Sequence, residues 1–188
     1  MGRKHLLGAC AGMLVALVTA AGCGSTPSPG RGDAQTPPTI GYEGIEEWLA
    51  AGSYKGWHCE PTPHDPRSPS PHGGRNRICS NDLLSGAGPG EYPVGSASVK
   101  ELYDAAGTTL NGYAVYLHTK PGKTSDTYYW YERVPLSSSA PHDPVTGVVS
   151  DGFGGGMAAP EVVCVSCHKL AGADAAHSGH DYVYTQVR

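Results

Sequence analysis

Thr127-Tyr128-Tyr129-Trp130-Tyr131-Glu132-Arg133-Val134 is the stretch on which the fold turns. Four consecutive aromatic residues between Thr and Val favour a strand, because stiff, bulky side chains pack well on a pleated surface. Upstream, Pro121-Gly122 opens a polar loop, and Tyr113 to Thr119 repeats the same aromatic and β-branched chemistry. The two segments are expected to pair antiparallel, and Asn111-Gly112 reads as a turn just before them. Ser96 to Tyr103 alternates, with Ala97, Val99, Glu101 and Tyr103 on one side and Ser98, Lys100 and Leu102 on the other. A helix is also open there, since Val99, Leu102 and Tyr103 fit helical spacing. Arg77 to Ser80 reads as a short strand. Tyr42 to Ala51 reads as a helix, with Ile45, Trp48 and Leu49 on one face and Gly52 as its stop. Trp57 to Gly74, Gly86 to Gly90 and Pro141 to Met157 read as Pro- and Gly-punctuated loops. There are no internal repeats. The pattern predicts an α+β domain, mainly antiparallel β-sheet with a few short helices.

The N-terminus is of another kind. Arg3, Lys4 and His5 precede an apolar run from Leu6 to Ala21, closed by Ala20-Ala21-Gly22-Cys23. Residues 1–22 read as an export signal. The closing tetrad resembles a bacterial lipobox, with Ala20 where leucine is usual, in which Cys23 is lipidated; an ordinary secretory signal cut nearby is the alternative. Both readings place the protein in the periplasm or cell envelope, and lipidation would tie it to the membrane stably. Residues 23–39, rich in Gly, Pro, Ser and Thr, read as a flexible tether, and 40–188 as one domain. Loss of residues 1–22 removes Arg3 and Lys4 and no acid, taking the formal charge from −4 to −6. No basic stripe is left for nucleic acid. The mild acidity suits docking to a basic redox partner.

The six cysteines sort by position. Cys10 lies in the signal and Cys23 at its end. Cys59 and Cys79 are expected to form a disulfide in an oxidising compartment, bracing the Pro-rich segment from Pro61 to Pro71. The alternative is a redox-active or metal-binding pair with His58, His64 or His72. The last two open Cys164-Val165-Ser166-Cys167-His168, a C-x-x-C-H. This is the attachment sequence of c-type haem: two thioethers hold the porphyrin, and the histidine ligates its iron. A redox dithiol or half of a zinc site would share the C-x-x-C, but no βαβ pattern and no second C-x-x-C accompany it.

A haem so placed limits the class. Helical cytochromes c carry theirs near the N-terminus with a methionine far downstream. Here only 20 residues follow His168, without methionine, and Met157 precedes the motif. A four-helix cytochrome c′ needs long amphipathic helices that this chain lacks. Sheet-rich character with a C-terminal haem motif resembles the cytochrome P-460 and cytochrome c′-beta family over about residues 42–188. The resemblance is carried by Glu91-Tyr92-Pro93-Val94-Gly95 before Val99-Lys100-Glu101, by Tyr128-Tyr129-Trp130-Tyr131-Glu132, and by the haem motif followed by Asp181-Tyr182-Val183-Tyr184-Thr185.

The resemblance implies a five-coordinate haem c iron, a mainly antiparallel sheet and a possible homodimer. In the P-460 branch a lysine is bonded to the porphyrin and hydroxylamine is oxidised; the c′-beta branch binds nitric oxide without turnover. By position Lys100 matches the crosslinking lysine. Glu161, three residues before Cys164, is the first candidate for a proton acceptor, with His142, Tyr113 and Tyr116 behind it. Phe153 could cap the distal face or fill core. His177 and His180 could bind a metal, but read better as part of a polar loop before a last strand.

Overall fold

The computed structural model describes residues 38–67 and 71–188. The signal segment, Cys23 and nearly all of the tether fall outside the described residues. Six antiparallel strands form one meandering sheet in chain order: β1 (His58–Cys59), β2 (Arg75–Ser80), β3 (Ala97–Tyr103), β4 (Leu110–His118), β5 (Tyr128–Arg133) and β6 (Val148–Phe153). The helices are short: α1 (Tyr42–Ala50), α2 (Asp82–Gly86), and α3 (Ser166–His168), which continues directly from one π-helical turn (Glu161–Val165). This is the mainly-β α+β fold expected from the pattern.

Side chains alternate across a strand, so each strand feeds two faces. On the first face Cys79, Val99, Val115, Leu117, Tyr129 and Tyr131 join the α1 residues Ile45, Trp48 and Leu49 in one buried cluster. Spacing of i, i+3, i+4 places those three on one side of α1. The N-terminus of α1 is fixed from the sheet: Tyr42 N–H donates to Asp151 at 2.9 Å and Gly41 N–H to Tyr129 Oη at 3.0 Å. A carboxylate there also complements the helix dipole. On the second face Tyr116, Tyr128 and Trp130 gather Leu84, Tyr92, Val165 and Val183 into a separate cluster. The C-terminal segment thus packs on the face that α1 leaves open.

Cys59 and Cys79 sit opposite each other in the β1–β2 register and are joined by a disulfide. The three histidines of the alternative reading go elsewhere. His58 meets Asp82 at 2.7 Å, His64 meets Glu60 at 2.8 Å, and His72 reaches Glu132 at 2.8 Å.

Three local expectations are corrected. Asn111-Gly112 is not a turn but part of β4, with Gly112 opposite Leu102. A Cβ on Gly112 would stand 2.1 Å from the Arg133 carbonyl oxygen, so the glycine is there to admit the neighbouring backbone. The turn itself runs from Asp104 to Thr109, closed by Asp104 N–H to Thr109 O at 3.0 Å. The stretch from Pro141 to Met157 is not all loop: Val148–Phe153 adds the last strand, with Ser150 opposite Glu132 and Gly152 opposite Trp130. Finally, no strand follows His180 among the described residues. His180 and Val183 instead close a tight turn in which Asp181 and Tyr182 have φ of 45° and 67°.

Candidate functional site

On the second face, one row of the register runs Ile78, Lys100, Ala114, Glu132, Ser150 across β2 to β6. The small Ala114 separates Lys100 from Glu132 and leaves space above the sheet between them. The next row brings Tyr116 and Trp130 side by side. Above these residues lies a cavity of about 340 Å³, closed on the other side by Cys164, Cys167 and His168 and flanked by His72 from the loop before β2. That volume falls within the range of about 300–1,000 Å³ typical of small-molecule and cofactor sites. Lys100 and the C-x-x-C-H motif, 64 residues apart at their nearest cysteine, therefore line one space.

His168 is held on three sides. Its Nδ1 lies 2.7 Å from the Tyr182 carbonyl oxygen, which can only accept. The ring proton therefore sits on Nδ1, and Nε2 is left as the lone-pair nitrogen, the arrangement of a metal-binding histidine. Trp130 and Tyr184 meet the ring edge-on, with centroids at 5.0 and 5.5 Å. Burial pushes the imidazole down to about 4. The strained turn has its use here. Left-handed backbone at a tyrosine costs about 1–3 kcal/mol, and it is what directs the Tyr182 carbonyl at the ring. Asp181 steadies the turn, accepting from Tyr92 N–H at 3.1 Å and Tyr128 Oη at 2.9 Å.

Cys164 and Cys167 are not joined to each other. Burial pushes the Cys164 thiol up to about 12. Redox dithiols carry the opposite shift, with a thiol acidified into a nucleophilic thiolate. No group of three or more His, Cys, Asp or Glu among the described residues is arranged to hold a metal ion. A haem needs only one protein ligand on an open iron, and Nε2 of His168 meets that need. Two free thiols, a histidine of fixed tautomer and an aromatic wall on one cavity fit a c-type haem.

Lys100 is the anomaly of the site. It is half-buried on the cavity wall, and desolvation lowers its pKa from the usual 10.5 although the nearby Glu132 carboxylate pulls the other way. Among the described residues it makes no ion pair. Desolvation of a cation is costly, which is the cause of that downward shift.

The other candidates separate cleanly. Glu161 lies on the π-turn, its carboxylate accepting from Gly155 N–H at 2.8 Å, and it is not part of the cavity lining. Tyr113 projects from the opposite face towards Tyr54, and His142 donates locally to the Ala140 carbonyl. Phe153 packs edge-on against Tyr129 and is 40% exposed, so it caps nothing in the cavity. His177 is bound to Asp174 and His180 stacks on Tyr92; neither lines the cavity. Tyr116 does line it. The pair that sequence reasoning missed is Glu132 with His72, both lining the cavity.

The whole ligand-bearing segment is fastened beyond the site as well. Gln186 Nε2 donates to the carbonyls of Leu84 at 2.6 Å and Ala87 at 2.8 Å, and Val187 N–H to Ser80 Oγ at 3.1 Å. No family model, curated protein or solved structure matches this chain.

Proposed function

We propose that this is an exported haem c protein, anchored through Cys23, that oxidises hydroxylamine or a related small nitrogen compound and passes the electrons to a redox partner protein. The observation that carries the proposal is the convergence of Lys100, Cys164, Cys167 and His168 on one cavity. Cys164 and Cys167 would hold the porphyrin, each S–H adding across a vinyl group with no net redox change. His168 would bind the iron through Nε2, and the Tyr182 carbonyl fixes that ring. When bound, haem supplies an open iron position for a small ligand and a route for one-electron steps. The sheet side of the cavity orients that ligand between Tyr116, Trp130 and Glu132. The aromatic residues exclude water.

Lys100 separates the proposal from its rival, nitric oxide binding without turnover. An amine on the cavity wall without an ion-pair partner within 4 Å among the described residues is placed to bond to the porphyrin edge. Such a link would be oxidative: one N–H bond of Lys100 and one C–H bond of the porphyrin would be exchanged for an N–C bond, releasing two protons and giving two electrons to an oxidant of the peroxide class.

The test is the absorption spectrum of the dithionite-reduced protein made with haem-maturation machinery, with mass analysis of its haem peptide. A red-shifted Soret band and a Lys100 peptide joined to the haem peptide are expected. Lys100→Ala should keep the haem and lose the shift. An ordinary high-spin spectrum with two thioethers only would favour nitric oxide binding, and absence of haem would overturn the site.

A further inference from the structure

His118 ends β4 and is 0% exposed, yet both of its ring nitrogens are engaged. Nδ1 lies 2.7 Å from the Tyr92 carbonyl oxygen and Nε2 lies 3.1 Å from the Gly122 carbonyl oxygen. A carbonyl oxygen can only accept, and a neutral imidazole has one donor nitrogen and one lone-pair nitrogen. Either neutral tautomer would therefore aim a lone pair at a carbonyl oxygen, with no exposed surface through which water could intervene. The two contacts are satisfied together only when the ring carries both protons. The ring also lies almost flat on Tyr128, with centroids 4.4 Å apart and planes 17° from parallel, where an aromatic face favours a cation.

The charge has a counterpart. Asp181 Oδ2 accepts from Tyr92 N–H at 3.1 Å and from Tyr128 Oη at 2.9 Å. These are the same two residues that His118 touches, one through its carbonyl and one through its ring. Ring and carboxylate are thus linked twice, through Tyr92 and through Tyr128, while forming no ion pair with each other among the described residues. Burial and the Asp181 carboxylate push the Tyr92 hydroxyl up to about 12, and the same two causes push the Tyr128 hydroxyl up as well. Both phenols therefore stay neutral, and no further anion arises between the two. Of the other ionisable groups packed nearby, Glu91 accepts from Gly122 N–H at 2.6 Å, and Lys120 is paired with Asp126 at 2.8 Å.

We propose that His118 is a buried imidazolium, that it is the counter-charge of Asp181, and that it is a positioning residue for His168. The route is short. Asp181 opens the left-handed turn, and the next residue, Tyr182, offers its carbonyl to His168 Nδ1. Asp181 fixes that turn to Tyr92 and Tyr128, and His118 holds the same two residues from behind. A second-shell carbonyl sets both the orientation and the basicity of a metal-binding imidazole. The positioning role rests on the reading that haem occupies the cavity with His168 on its iron.

The charge is read first, without any variant. Neutron diffraction from deuterated crystals of the protein at neutral pH should show deuterium on both Nδ1 and Nε2 of His118. Deuterium on one nitrogen only would overturn the proposal. The positioning is read in the ferrous haem-loaded protein, from the iron–histidine stretch in its resonance Raman spectrum. That band falls as the Nδ1–H hydrogen bond of the ligand weakens. His118→Gln, which is neutral and keeps a donor, should lower it, and so should Asp181→Asn. The double variant should lower it no further than Asp181→Asn alone, because both act through one turn. A stretch unmoved by His118→Gln, or shifts that add in the double variant, would overturn the positioning role. If the wild-type protein carries no haem, the underlying reading falls and the neutron result still decides the charge. If haem is present and the stretch is indifferent to His118, the positioning role falls alone.

Discussion

Lys100 and Glu101 are neighbours in the chain and opposites in treatment. Glu101 points to the first face and is saturated: Tyr54 Oη donates at 2.6 Å, Tyr103 Oη at 2.9 Å and Arg77 Nη1 at 3.2 Å. Lys100 points to the second face and has no ion-pair partner among the described residues. A like contrast holds along β4 and β5, where Val115, Leu117, Tyr129 and Tyr131 pack into a closed core while Tyr116, Trp130 and Glu132 line the cavity. A strand that alternates every residue lets one sheet separate its tasks: one face buries a carboxylate with three partners in a packed core, although the Trp48 and Trp57 N–H groups there are unpaired among the described residues, while the other lines a cavity. Polar groups left unsatisfied are as informative as those that are satisfied.

The comparison is sharpest where stability is measured. Glu101→Ala should cost about 3 kcal/mol in urea unfolding, because it leaves the buried Tyr54 hydroxyl and the half-buried Tyr103 and Arg77 without their shared acceptor. A loss under about 1 kcal/mol, the size of a single ordinary hydrogen bond, would mean that these partners are met by water instead. Replacing both Cys59 and Cys79 by serine should cost about 3 kcal/mol, the chain-entropy value for a loop of this size. A lower midpoint with a slightly steeper slope is the expected form, because the uncrosslinked unfolded chain exposes more surface.

Lys100→Met should go the other way. In chain produced without haem, it should stabilise by about 1 kcal/mol at neutral pH, since it removes a partly desolvated cation that makes no ion pair within 4 Å among the described residues. The sign with pH follows from linkage. The unfolded lysine holds its proton up to 10.5 and the folded one releases it earlier, so wild-type stability gains from this group as pH rises. The gap between Lys100→Met and wild type should close as pH approaches 10.5. A constant gap would remove the argument for a strained amine.

The smallest effect concerns Glu60, on the loop that carries His72. Burial pushes its carboxyl up, but Arg67, His64 and the Ile78 N–H outweigh that and hold it below 4.5. A lowered carboxylate stabilises above its unfolded pKa and loses that contribution as pH falls through the folded value. Glu60→Gln should flatten the acid limb of stability below pH 4.5; an unchanged limb would place the acid sensitivity elsewhere.

The strands most visible in the sequence were those with the densest aromatic and β-branched content, Tyr113–His118 and Tyr128–Arg133. Asn111-Gly112 misled because a glycine that admits a neighbouring backbone has the same letter as one that turns a chain. Val148–Phe153 was hidden because its Ser150, Asp151 and Gly152 carry little strand preference; its place comes from the register with β5. Asp181-Tyr182-Val183 has strand-like composition and is bent by contacts of Asp181 to residues far away in sequence. Within the site, the haem motif was legible as a local pattern. The His72–Glu132 pair spans 60 positions and was not. One signal was available: in Tyr128 to Arg133 the alternate residues on both sides are aromatic, so the strand pattern alone commits a glutamate completing one of those sides to burial.

The fastening of the chain after Tyr184 has a mechanical consequence. The segment bearing Cys164, Cys167 and His168 is supported at both ends, by the Glu161–Gly155 hydrogen bond on one side and by Gln186 and Val187 on the other. It is a beam and not a cantilever. Load applied at the last few residues is carried into α2 and β2 rather than into the histidine, and shortening the chain by those residues would turn a fixed end into a free one.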